Sequence, residues 1–136
     1  MVNTFIISWD VDITARSLDY RRLGKQRVEA YQIWRANKGL TKGWRNHPAA
    51  RAWKGYSCAL AMYTNAMIRE WMRRGYKNTM QFLPHRGKPR FPPWWGDEAV
   101  RLSHCASLNR KMPEFYKFDV PEFTGYVWPV PKNMSA

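Results

Sequence analysis

The chain has 136 residues, enough for one compact domain with a modest core and too few for two. Hydrophobic residues make up 45% and aromatic residues 15% of it, which excludes the low-hydrophobicity, high-charge regime of disordered chains. Lys and Arg number 23 against 10 Asp and Glu, a formal net charge of +13, so the expected partner is a polyanion. Nucleic acid fits better than a membrane surface, because the basic residues are interleaved with Trp and Tyr rather than gathered in one run.

Cys58 and Cys105 lie far apart and form no CxxC pair, so neither a disulfide framework nor a zinc ribbon is expected and the setting is a reducing, intracellular one. No stretch approaches the roughly 20 apolar residues of a membrane span, and Met1 to Asp10 has no basic leader with a cleavage site. A soluble, cytoplasmic, monomeric protein without a membrane partner is the expectation.

In chain order, Thr4 to Trp9 is a β-branched and aromatic run, the composition of a strand or an extended N-terminal arm. A first helix is predicted from about 18 to 37, capped by Ser17 or Asp19 and stopped at Gly39, with Gly24 weakening its first turns. Leu40 to Pro48 reads as a loop, and Pro48 suits the first position of a second helix. There Ala49, Ala52, Trp53, Tyr56, Leu60, Tyr63, Met67 and Trp71 recur at spacings of three and four, one apolar core stripe that runs to Gly75. Residues 76–96 carry four prolines and read as a long basic loop. Asp97 and Glu98 open a third helix ending near Lys111, and the aromatic, proline-rich tail from Pro113 onward should pack extended across the helices. The fold class expected is therefore all-α: a single domain, 1–136, of three helices with a short extended N-terminal segment and a Pro- and aromatic-rich C-terminal tail.

Two constellations carry chemistry. In LDYRRLGKQRVEA, Leu18 to Ala30, the residues Arg22, Lys25 or Gln26, and Glu29 fall three and four apart, so a carboxylate shares a helix face with at least one cation. That pattern fits a solvated Lys25–Glu29 ion pair. It also fits a half-buried carboxylate among phosphate-binding groups, since an acid on a DNA-facing surface repels phosphate unless it has a task. The second constellation, TKGWRNHP, places Lys42, Trp44, Arg45, Asn46 and His47 in a glycine-containing loop leading into a helix N-terminus. This arrangement suits phosphate, with Trp44 or His47 available to stack on a base. It also fits a surface loop in which Trp44 joins the core and His47 caps the helix. The three histidines and two cysteines show no metal-ligand spacing, so no metal and no cofactor is expected, and no phosphate loop or GxSxG motif is present.

Taken together, Leu18-Asp19 followed ten residues later by Glu29-Ala30, then Thr41 to Pro48, then a helix closing in Arg73-Arg74-Gly75-Tyr76, resemble the pyrimidine-dimer DNA glycosylase family, the phage endonuclease V type and its bacterial relatives. The resemblance implies an all-α repair enzyme on damaged or modified double-stranded DNA that flips a nucleotide opposite the lesion. Its own N-terminal α-amine, here that of Val2 after methionine removal, attacks the sugar C1′ and the resulting imine permits β-elimination of the strand. It gives Glu29 the part of stabilising the sugar cation and moving protons; DNA contacts are expected from the basic and loop residues Arg22, Lys25, Arg27, Lys42, Trp44, Arg45, Asn46, His47 and Arg51. His104 is a further catalytic candidate, in an arrangement of its own. The alternatives are a non-catalytic nucleic-acid-binding module on the same scaffold, and an enzyme with a different nucleobase or nucleotide reaction using His104 or His47.

Overall fold

In the computed structural model, which describes residues 3–43, 46–123 and 125–128, the chain is all-helical, with five helices among the described residues. They are α1 (Val11–Ser17), α2 (Tyr20–Asn37), α3 (Pro48–Trp53), α4 (Ser57–Arg73) and α5 (Glu98–Lys111). None is long and apolar enough to cross a membrane.

The helix count corrects the expected three in two places. The helix α1 falls between the expected arm and the first predicted helix. The Asp10 carboxylate caps it, accepting from the backbone N–H of Asp12 and Ile13. The predicted 48–74 helix is broken between α3 and α4 at Gly55, whose φ of 87° no helix residue adopts. The break keeps the register of the apolar stripe, because backbone bonds from Lys54 to Arg51 and from Tyr56 to Trp53 close tight turns across it. Ala49, Trp53, Leu60, Tyr63 and Met67 therefore all enter the core despite the interruption.

Helix α2 starts at Tyr20 with Asp19 as its cap, not Ser17. Gly24 is accommodated by packing: the Trp71 ring of α4 lies so close that a Cβ there would sit 2.9 Å from its Cζ3. Arg74, just past α4, caps another helix, donating from Nη2 to the carbonyls of Ala15, Arg16 and Leu18 at 3.3, 3.1 and 2.8 Å. Thr4 to Trp9 forms an extended arm with no strand partner among the described residues, and Ile6 within it is fully buried.

The long segment 76–96 is irregular, as expected, yet two of its side chains are core. Leu83 is held by reciprocal bonds with Asn65, and Trp94 donates to Ala52 O at 2.8 Å and stands edge-on to Trp53. The described tail packs extended across α5. Asn109 pairs both ways with the Phe118 backbone, and Val127 N donates to Ser103 Oγ at 3.0 Å.

Candidate active site

The buried face of α2 reads Leu23, Gln26, Ala30, Ile33, so a polar amide sits where the spacing demands an apolar residue. Gln26 answers the needs of the arm. Its Oε1 accepts from Phe5 N at 2.8 Å and its Nε2 donates to Asn3 O at 2.9 Å. One turn later on α2, Glu29 Oε2 accepts from Asn3 N at 2.8 Å. The N-terminal arm is thereby fastened along α2 with its first described residue on the glutamate.

Around this junction opens a cleft of about 600 Å³. Asn3, Phe5, Gln26 and Glu29 line it from the arm and α2, with Tyr20, Arg21, Arg22 and Lys25, while Lys111, Met112, Glu114 and Tyr126 form the facing wall. Four cations thus surround two acids. Burial raises the Glu29 pKa above its ordinary value, against the Asn3 N–H and the nearby Lys25 cation, which favour the ionised form. The result is a half-buried carboxylate in a positive surround. Arg22 is oriented by Asp19, 3.2 Å away, and Asp19 in turn accepts from the Tyr116 hydroxyl, so the tail fixes this end of the cleft.

Glu29 also lines a second hollow of about 430 Å³ with Lys25, Arg27 and Trp71 among its walls. Arg27 is placed there with its guanidinium 4.7 Å above the Trp71 ring and donating to Asn78 Oδ1 at 2.5 Å. The structure therefore brings Arg22, Lys25 and Arg27 onto the walls of the two hollows that share the Glu29 carboxylate. Among the described residues of the second constellation, Lys42 and Asn46 are exposed, Arg51 is half-buried on α3, and His47 caps α3 by accepting from Ala49 N at Nδ1, 3.2 Å. These four stand outside the cleft. Their helix is nonetheless tied to α2 through Asn37 and Ala50, and to the arm through Trp53 and Thr4. Val2, Trp44 and Arg45 lie outside the described residues.

His104 is in the core, fully buried, with Nδ1 accepting from Ile6 N at 2.9 Å, and it is not among the residues lining the cleft. Burial pushes its pKa down to about 3. Sequence reasoning missed Asn3, Lys111 and Tyr126, and put Gln26 on the helix face beside Glu29 without its bonds to the arm; only Gln26 carried a local signal, its polar place on an apolar face. Among the described residues no three His, Cys, Asp or Glu side chains converge as a metal site would require, and Cys58 and Cys105 are both free.

An all-α protein whose cleft gathers cations around one half-buried carboxylate at the foot of an N-terminal arm is the class these observations define. The chain belongs to the pyrimidine dimer DNA glycosylase family, whose model matches residues 3–84. No curated protein and no solved structure matches it. The facing wall of the cleft, Lys111 to Tyr126, lies beyond the matched segment.

Proposed function

We propose that the protein excises pyrimidine dimers from double-stranded DNA and then cleaves the abasic strand, with Glu29 as the proton-moving carboxylate and the α-amine of Val2, freed by methionine removal, as the nucleophile. The observation that carries this reading is the 2.8 Å bond from Asn3 N to Glu29 Oε2 inside the cationic cleft. Chain connectivity keeps residue 2 within about 3.8 Å, Cα to Cα, of Asn3, so an amine there stays within reach of a sugar bound against Glu29.

An α-amine has an ordinary pKa of about 7.7–8.0, low enough that much of it is neutral and nucleophilic near neutral pH, as a lysine is not. In the first step the amine nitrogen bonds to C1′ as the C1′–N bond to the base breaks, and the departing base takes up a proton. Ring opening at O4′ leaves an imine between the amine and C1′. Loss of a C2′ proton then expels the 3′ phosphate. Glu29 stabilises the positive charge that develops on the sugar and carries the protons gained and lost. Arg21, Arg22, Lys25 and Lys111 around the cleft, and Arg27 beside it, meet the phosphates. Lys42, Trp44, Arg45, Asn46, His47 and Arg51 extend that contact along the duplex, with Trp44 available for stacking.

The test is borohydride reduction on duplex DNA carrying cyclobutane dimers or abasic sites. A covalent adduct is expected, and an added N-terminal residue should abolish it; no adduct on either substrate would end the amine mechanism. Glu29→Gln should hold DNA within a few fold of wild type while cleavage falls by about 10²–10⁴-fold. Undiminished cleavage would reduce Glu29 to an ion-pair partner of Lys25.

A further inference from the structure

Extended backbone inside a helical protein must find hydrogen bonds without a sheet, because buried N–H groups left unpaired are costly. Here the partners are side chains drawn one by one from the helices. Glu29 takes the N–H of Asn3, Gln26 that of Phe5, His104 that of Ile6, and Thr14 of α1 those of Ile7 and Ser8, at 2.8 to 3.3 Å. Gln26 also gives its own N–H to Asn3 O, so one amide bonds residues 3 and 5 as a neighbouring strand would.

His104 is the anomalous member. Because Nδ1 accepts, the neutral ring carries its proton on Nε2, and Nε2 is buried with no hydrogen-bond partner among the described residues. The ring is enclosed instead by Phe5, Tyr126 and Trp128, with centroids 5.9, 5.2 and 4.8 Å away. An apolar side chain would fill such a space without stranding a polar atom. What the imidazole adds is its acceptor for Ile6, and burial keeps the ring neutral so that the acceptor persists throughout the neutral range.

We infer that His104 and Gln26 are positioning residues, which hold the backbone of Phe5 and Ile6 so that the residues before them stay on Glu29. This rests on the reading of the N-terminal amine as nucleophile. It also extends that reading to α5, since His104 lies outside the family-matched segment. His104 lies outside the cleft and Gln26 lines it, and in this reading both act through the arm.

The test compares His104→Asn, whose Oδ1 falls near the place of Nδ1, with His104→Leu, which removes the acceptor, and with Gln26→Met, which removes the amide. Three readouts are taken on each folded protein: hydrogen exchange of the Asn3 and Ile6 amides, affinity for abasic duplex, and the single-turnover rate of the borohydride-trapped adduct. His104→Leu and Gln26→Met should bind DNA within about twofold of wild type but form the adduct about 10- to 100-fold more slowly, the loss expected from a misplaced reacting group. Their Asn3 amide should exchange faster. His104→Asn should recover most of both. A wild-type rate with a protected Asn3 amide in His104→Leu and Gln26→Met would overturn the inference. So would a His104→Asn variant as slow as His104→Leu, which would make packing, not the acceptor, the contribution. If His104→Leu does not fold, Gln26→Met against His104→Asn decides by the same measures. Should the wild-type protein form no adduct, the nucleophile reading fails by itself, and the exchange rates still report whether these side chains hold the arm.

Discussion

Replacing Arg74 with methionine keeps the aliphatic stem and removes the guanidinium, and the structure says what is then lost. Arg74 Nη2 serves three carbonyls at the end of α1, and Nε donates to Glu70 Oε2 at 2.8 Å. Glu70 is only 5% exposed, and would be left with Arg73, whose side chain is 66% exposed. A hydrogen bond to a charged group contributes about 1.5–3 kcal/mol, and stripping one partner from a buried ion pair costs about 3–5 kcal/mol. Because Arg73 remains in place, the lower end applies, about 3 kcal/mol in all. At several degrees per kcal/mol for a chain of this size, Tm should fall by about 10 °C. The pH dependence sharpens the expectation. The Glu70 pKa lies below its ordinary 4.5, chiefly through the Arg73 bond, with burial opposing and Arg74 assisting. A depressed carboxyl pKa stabilises the fold fully above the unfolded value and ceases to do so as pH falls through the folded one. The deficit of Arg74→Met against wild type, followed by circular dichroism, should therefore be full at neutral pH and shrink on acidification below about 4.5. A Tm within about 2 °C of wild type at neutral pH would refute the reasoning, as would a deficit that persists unchanged in acid.

Gly24→Ala would gain about 1 kcal/mol of helix propensity in open solvent, but its Cβ meets a Trp71 ring pinned by a bond to Lys77 O, so overpacking of about 1–3 kcal/mol wins. Chemical denaturation should show a less stable protein, and a stabilised one would mean that the ring yields freely. Tyr116→Phe removes the hydroxyl that serves both the Asp19 N–H and its carboxylate, and should lower stability by about 1–2 kcal/mol; an unmoved urea midpoint would contradict that. Glu29→Gln is expected to lose activity without losing stability. Burial raises the Glu29 pKa, so the ionised form is disfavoured by folding, a penalty present above the folded pKa and absent in acid. The variant should melt at or above wild type at about pH 7.5, with any advantage fading towards pH 4; a lower Tm at neutral pH would show the ion to be net stabilising.

The helical class, the stripe from Ala49 to Trp71 and the capped start of α5 were legible because each is a local pattern of spacing and capping. Gly55 could not be read as a break, since the apolar stripe keeps its phase across it. Helix α1 is short and its start is marked only by Asp10, a cap shared by many turns. Of the site, Glu29 and its cations were visible because α2 sets them three and four residues apart. Lys111 and Tyr126 were not, since nothing local to either residue says that α5 and the tail return to face α2. The place of His104 in the core was hidden for the same reason: its partner, Ile6, lies 98 residues away, and a histidine that serves a distant N–H looks, in sequence, like one free to react.

The boundary of the family match bears on how such a site is held. Residues 3–84 contain the arm, Glu29 and most of the cationic rim, yet they do not close their own core. Trp53, fully buried, stands 5.1 Å from Trp94 and 6.0 Å from Trp95, and Trp94 reaches back to Ala52 O. On the arm itself, Asn3 Oδ1 accepts from Trp128 and Ile6 N depends on His104. Without the later segment, Trp53 would lose one face of its packing and the arm would lose two of its fastenings. The carboxylate is thus supplied by one half of the chain, while two of the bonds that fasten the arm beside it come from the other. A cleft built this way can change what it accepts through α5 and the tail while α2, and the carboxylate it carries, stay as they are.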